Sequence, residues 1–258
     1  MALTFHSKLM FAAYLILSML ASQSMSRDFN ETSMVEKDEQ WMAQYGRVYK
    51  DQLGINQFAG IKNEEFRTSR NRYKPWTKCK GTLFRCEYVS AVPSTMDWRK
   101  KGAVIEIKNQ GQCAIEGIHK LKIGKLISLF EHELVNYDTS SEDQGYEDVP
   151  ANDKAALLKA EANQSVSVVI DSSAFAFQFY TSGVFRGDCG TDVDYGMTAV
   201  GYGTSSDGTK YRLLKNSWGT NWSENGYILI QRDIDTKEGL CGIAMQAFYP
   251  TAKNKNVK

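Results

Sequence analysis

The stretch that most constrains the fold is Lys210 to Arg232, KYRLLKNSWGTNWSENGYILIQR. Tyr211 to Leu214 reads as a strand running into a polar corner. Asn216-Ser217-Trp218-Gly219 turns that corner, and Gly226 to Ile230 leaves it as a second strand. An Asn two residues before a Trp, between two apolar strands, places an amide under an indole. On pattern alone this is a glycine-containing hairpin with an aromatic plug.

The chain has 258 residues, a net charge of +1 and 42% hydrophobic content, which allows one or two globular domains. So small a net charge gives no electrostatic reason to expect nucleic acid as a partner. Residues 1–25 read as a secretory signal peptide: Lys8 is the only charge before Leu9 to Leu20, and Ala21 to Ser24 supplies small residues for cleavage. An apolar run of about a dozen residues is short for a membrane span, which takes about 20. The mature chain is therefore expected in the secretory pathway, free of the membrane, in an oxidising compartment. Vacuole, lysosome and extracellular space all fit. Lys255 to Lys258 is not an ER retention signal. Five Cys leave at least one thiol over.

Along the chain, Met34 to Lys50 reads as a short helix, and Leu53 to Phe66 follows it. Residues 67–92 have the composition of a linker and carry Cys79 and Cys86. Gly102 to Gln112 reads as a strand and turn, and Ala114 to Leu129 as a helix weakened by Gly117 and Gly124. Asn152 is placed to cap a helix running through Asn163. Val166 to Asp171 and Met197 to Thr204 read as strands, Ser205 to Gly208 as a turn, and Phe175 to Tyr180 as a core aromatic cluster. This half is expected to form an antiparallel sheet with flanking helices, a partial barrel. Sequons stand at Asn30, Asn163 and Asn221. The last adjoins the Trp218 corner, where a glycan is expected to fit poorly.

The words of the corner are specific. N-S-W-G-T-x-W-x-x-x-G-Y resembles the segment of papain-like cysteine proteases that carries the orienting Asn, closest to the plant vacuolar or senescence-associated kind. Val92-Pro93-Ser94-Thr95-Met96-Asp97-Trp98-Arg99 resembles the start of their mature chain, and Glu131 to Asp138 resembles a further element. Met34 to Lys50 and Gly54-Ile55-Asn56-Gln57-Phe58-Ala59-Gly60 resemble parts of their inhibitory pro-region, with Gly60 in place of an Asp. The resemblance implies an α+β, two-lobe fold. The right-hand antiparallel sheet or barrel lobe is mostly kept, and the left-hand helical lobe is truncated. It divides the chain into a signal peptide (1–25), a degenerate pro-region and linker (26–92) and a truncated peptidase domain (93–258). Abrupt joins fall at Asp51/Gln52, Cys113/Ala114 and Gly145/Tyr146, where the family has further residues.

Such a protease needs a thiolate at a helix start, an imidazole beside it, an Asn to orient the imidazole and a Gln at the oxyanion. Here Gln110 matches the oxyanion Gln, Asn216 the orienting Asn and Trp218 its cover. The nucleophile is absent: Cys113 matches a structural Cys, and the next residue already belongs to the family's central helix. Tyr195 stands at the position of the base. His6, His119 and His132 match no catalytic position. Cys113 as a substitute nucleophile would lack a base and would sit only three residues from Gln110. By resemblance Cys189 and Cys241 form a disulfide, and Cys79, Cys86 and Cys113 are free or scrambled. Neither cofactor nor metal is expected, because the Cys are scattered and no His joins them.

Three readings follow from the resemblance. The chain is a peptidase by descent, with peptide or protein substrates in its family, but inactive in this form. Or it is a binding or inhibitory partner of an intact papain-like relative. Or it is a mis-spliced product without function.

Overall fold

In a computed structural model of the chain, the described residues are 53–54, 56–58, 60–70, 84–107 and 144–252. All lie in the compact unit Asp51–Lys258. The signal peptide, the helices expected over 34–50 and 114–129, the 131–138 element, Gln110 and Cys113 fall outside the described residues.

Eight strands among the described residues form one sheet. They are β1 (Met96–Asp97), β2 (Gln144–Asp148), β3 (Val166–Ile170), β4 (Val184–Phe185), β5 (Tyr195–Thr204), β6 (Lys210–Lys215), β7 (Tyr227–Gln231) and β8 (Ala247–Ala252). Their order is β2-β8-β3-β5-β6-β7-β4, with β1 also paired to β5. The pairs are antiparallel except β4 with β7, which is parallel and corrects the expectation of a purely antiparallel sheet. The Gly145/Tyr146 join lies inside β2, which pairs without a break along β8 from Gln144↔Ala252 to Asp148↔Phe248.

β3 is Val-Ser-Val-Val-Ile and is buried along its whole length. β-branched side chains suit such a doubly covered pleat. β5 is the longest strand and holds the sheet's centre, with β3 on one side and β6 on the other. Gly201 is required there, because a Cβ would come within 2.3 Å of the Met96 carbonyl oxygen. That close approach lets β1 cross β5, with Asp97 opposite Gly201. The segment after β1 is a turn and loop, not the strand expected from Gly102 onward. The Ala103 N–H donates to the Trp98 carbonyl and Gly102 takes φ 65°, which turns the chain away from the sheet.

Among the described residues three α-helices flank the sheet: α1 (Asn63–Arg70), α2 (Lys154–Asn163) and α3 (Phe175–Gln178). α2 is capped by Asp153, whose carboxylate accepts from the Ala156 N–H at 2.8 Å. Asn152 was the expected cap. It instead holds φ 62° and donates its N–H to the Ala244 carbonyl. Asn tolerates this left-handed turn better than most residues. α2 presses Leu158 and Ala162 against a cluster of Met96, Trp98, Ala103 and Tyr202. The Trp98 indole N–H donates to the Glu161 carbonyl at 2.8 Å, so the mature-start motif is fastened to this helix.

Cys189 and Cys241 are bonded, with Cα atoms 5.0 Å apart and a sequence separation of 52. Cys86 is free and buried. Cys79, like Cys113, lies outside the described residues. The disulfide anchors the loop that leads into Tyr195 to the segment whose Cys241 carbonyl accepts from the Asp171 N–H. Closing a loop of that size stabilises the fold by about 4 kcal/mol in the chain-entropy account. The Cys189→Ala, Cys241→Ala double variant is expected to lose about that much in urea unfolding. A loss below about 1 kcal/mol would mean that the loop is held by other contacts.

Candidate active-site corner

β6 delivers the chain to Asn216, whose N–H donates to the Gly226 carbonyl at 2.9 Å and closes the corner. Gly219 and Gly226, at φ 83° and 85°, make the turns that a side chain would strain. Tyr195 begins β5, opposite Ile170 of β3. Sheet register therefore brings together three residues singled out from the sequence. Tyr195, Asn216 and Trp218 are 7%, 3% and 4% exposed, so the corner is closed to solvent.

The Tyr195 hydroxyl donates to Asn216 Oδ1 at 2.8 Å. Its one proton is thereby used, so the contact at 2.7 Å with Ser217 is a Ser217 Oγ–H donating to the phenol. Asn216 Oδ1 also accepts from the Ser217 backbone N–H at 2.7 Å, which fixes which way the amide points. Asn216 Nδ2 is then buried without a hydrogen-bond partner among the described residues. The Tyr195 ring lies against Trp218, centroids 4.9 Å apart. Burial pushes the Tyr195 phenol up to about 12, against a smaller pull from Ser217. Tyr195 is thus neutral over the whole physiological range and neither takes a proton from a thiol nor pairs with a thiolate.

This phenol has a measurable signature. A raised folded value means that the fold keeps its full stability from this group below about pH 10, the value for a free tyrosine, and loses it as pH rises toward 12. Tyr195→Phe is expected to weaken the alkaline dependence by this group's share, with Tyr180 and Tyr249, also raised by burial, keeping theirs, and to cost about 1–2 kcal/mol at neutral pH through the lost hydroxyl contacts. Unfolding curves from pH 8 to 12 check both. An unchanged alkaline slope in the variant would place the titration elsewhere.

The corner is roofed from the N-terminal side of the chain. Phe58 and Phe66 meet Trp218 edge to face at 5.4 and 5.2 Å, and Phe177 meets it at 5.8 Å. Asn56 Nδ2 donates to the Gln178 carbonyl at 2.7 Å, and Gln57 Nε2 to the Trp218 carbonyl at 3.2 Å. Gln178 Nε2 returns two bonds, to the carbonyls of Phe58 and Ile61 at 2.9 and 3.0 Å. Leu53 bridges to Tyr180. Gly60 is exposed, and nothing lies within 4 Å of where its Cβ would be, so the change from Asp leaves these contacts standing. Phe58, Phe66, Gln178 and Ser217 were not singled out from the sequence. Only Phe58 carried a signal, as the aromatic residue of the Gly54–Gly60 motif.

No group of His, Cys, Asp and Glu suited to a metal occurs among the described residues. Asn221 is itself exposed, next to the buried Trp222.

Residues 130–251 match the family described as papain family cysteine protease. The senescence-specific cysteine protease SAG39 of Oryza sativa subsp. indica is 43% identical to the chain, over 91% of the chain and 94% of that protein. The chain belongs to the papain family of cysteine proteases. Among other papain-family relatives, vignain of Ricinus communis is 41% identical over 79% of the chain and 74% of its own length. Among solved structures, the ragweed pollen cysteine protease Amb a 11 in its proform superposes with a TM-score of 0.68 at 31% identity. That match covers 78% of this chain and 82% of the allergen. The fold is accordingly α+β and papain-like, with the sheet lobe built around Tyr195, Asn216 and Trp218 and the helical lobe truncated. No described helix is long and apolar enough to cross a membrane.

Proposed function

We propose that this papain-family chain is a cysteine endopeptidase by descent that is catalytically inactive in its present form. The observation that carries the reading is the Tyr195 hydroxyl on Asn216 Oδ1, where the resemblance puts a catalytic imidazole. A neutral, buried phenol fills the orienting amide's acceptor and supplies no base. The signature of the nucleophile occurs nowhere in the sequence, and Gln110 is left as a remnant without a thiolate to serve. The alignment with the rice protease gives further support. It runs over 323 positions, and the chain has 258 residues, so at least 323 − 258 = 65 positions of the relative face gaps. The reading keeps the division into signal peptide (1–25), degenerate pro-region and linker (26–92) and truncated peptidase domain (93–258). It routes the chain into the secretory pathway, toward a vacuole or the cell exterior. The purified chain is expected to turn over no fluorogenic peptide, with or without acid treatment, where an intact relative does so readily. Turnover that survives Cys113→Ala and is lost in Tyr195→Phe would point to a different chemistry at the same corner.

A second reading has one specific observation behind it. Residues 53–70 pack on Trp218 and Gln178 although the pro-region motif is incomplete. The same segment is suited to the corresponding corner of an intact relative, which makes the chain an inhibitory or chaperoning partner. Co-purification with active papain-like proteases from the same tissue, lost in Phe58→Ala, tests it. Sequencing the transcript across the three joins tests the third reading, a mis-spliced product.

A further inference from the structure

We propose that Asn163 carries an N-linked glycan whose first sugars lie over the Arg85–Tyr88 turn. Asn163 is the last residue of α2 and is exposed. It opens the sequon Asn163-Gln164-Ser165. Gln164 and Ser165 are only 3% and 4% exposed, and Gln164 Nε2 donates to the Pro250 carbonyl at 2.9 Å. The folded chain therefore presents the Asn but hides the hydroxyl that a transferase must read. Modification takes place on the unfolded, emerging chain, and folding then leaves the sugar outside.

What lies next to Asn163 gives the glycan a seat. The helix that ends at Asn163 packs against the Arg85–Tyr88 turn, whose Cys86 is buried. One helical turn earlier, Lys159 Nζ donates to the Glu87 carbonyl at 3.0 Å, which ties the turn to α2. Two residues beyond Cys86, Tyr88 is 86% exposed, against 38% for Phe175, the next most exposed large apolar residue described. An aromatic face left in water beside a sequon is a platform for the C–H face of a sugar ring, since such rings combine an apolar body with a polar edge. Asn163 Nδ2 bonds to the anomeric carbon of an oligosaccharide carried on a lipid pyrophosphate, and the sugar–phosphate C–O bond breaks. The lipid pyrophosphate departs with the electron pair, and one amide proton goes to the transferase's base. Nδ2 keeps its second N–H. Of the other sequons, Asn30 lies outside the described residues, and Asn221 precedes Trp222, which is fully buried in the aromatic corner.

The proposal rests on the secretory routing of the reading above, and the test separates the two. The full chain is produced with its own leader in plant cells. Its glycans are released by a glycosylasparagine amidase in heavy-oxygen water, and peptides are mapped. Most copies are expected to show Asn163 as heavy-labelled Asp, to lose the label in Ser165→Ala and to keep it in Ser165→Thr. A chain whose leader has been removed but whose Asn163 is bare overturns the glycan while sparing the routing. A chain with its leader intact and Asn163 bare overturns both. Trypsin cleavage at Arg85 reads the seat: the glycosylated chain is expected to resist several-fold longer than the deglycosylated one, with Tyr88→Ala narrowing the gap. Equal rates overturn the placement over the turn.

Discussion

Tyr195→His alone will leave the chain without peptidase activity. The substituted imidazole would face Asn216 Oδ1, the acceptor that now takes the Tyr195 hydroxyl at 2.8 Å, and Ser217 Oγ would remain at its side. An N–H donated to that oxygen would set the imidazole tautomer, so the base side of the site would be repaired. The nucleophile side would not, because the sequence passes from Cys113 directly to Ala114. Catalytic groups that act as a unit do not contribute separately, so one repair leaves the rate near that of the broken site. Activity is expected only when the histidine is combined with a restored G-x-C-W segment after Cys113 and the left-lobe segment after Gly145. The two variants are compared on one fluorogenic peptide under reducing, mildly acidic conditions. Turnover by the single variant, abolished by Cys113→Ala, would show that the deletion still leaves a usable thiolate.

Removing Glu161 will cost about 3–5 kcal/mol of stability, the range for stranding one member of a buried pair. Arg212 Nε donates to Glu161 Oε1 at 2.8 Å, and the two side chains are 1% and 0% exposed. Burial pushes the Glu161 carboxyl up, and Arg212 pulls it back toward the ionised form. In Glu161→Leu the guanidinium would keep only the Lys154 carbonyl, at 3.4 Å. The double variant Glu161→Leu, Arg212→Met is expected to regain most of the loss, because two apolar side chains need no desolvated partner. Urea unfolding of the four members of the cycle measures it. A single variant within about 1 kcal/mol of the parent would mean that water reaches the pair.

The strands around the corner were legible because their signal is local. Tyr211 to Leu214 and Gly226 to Ile230 are short apolar runs broken by glycine turns, and they became β6 and β7 with ends shifted by one residue or so. Arg212 shows where local pattern stops. An arginine inside a strand reads as a solvent-facing position, and its burial is explained only by a glutamate 51 residues away on α2. The cap of α2 was misplaced by one residue, because Asn152 and Asp153 have equal local claims and the Asn152 N–H was claimed by Ala244, far along the chain. Gly102 to Ile107 carried strand-forming residues, but the turn on the Trp98 carbonyl overrode them.

At the corner, Asn216 and Trp218 were legible through family resemblance, and so was the misfit of Tyr195. What the sequence did not reveal is how the misfit is accommodated, with Asn216 Nδ2 left buried and unpartnered among the described residues. The phenol finds a donor in Ser217, an acceptor in Asn216 and a tilted ring contact with Trp218, all brought near by sheet register and the turn at Gly219. The roof of Phe58 and Phe66 was equally hidden, since those contacts span more than 150 residues and leave no periodic trace.

Exposure to an epoxide warhead that alkylates papain-type thiolates, read by intact mass, tests the central claim most directly. It reports the thiolate itself and does not depend on the choice of peptide. The reduced, acid-treated chain is expected to keep its mass while an intact family member in the same tube gains one equivalent. Stoichiometric alkylation at Cys113 would contradict the account, because it would require a thiolate activated without the imidazole that Tyr195 has replaced.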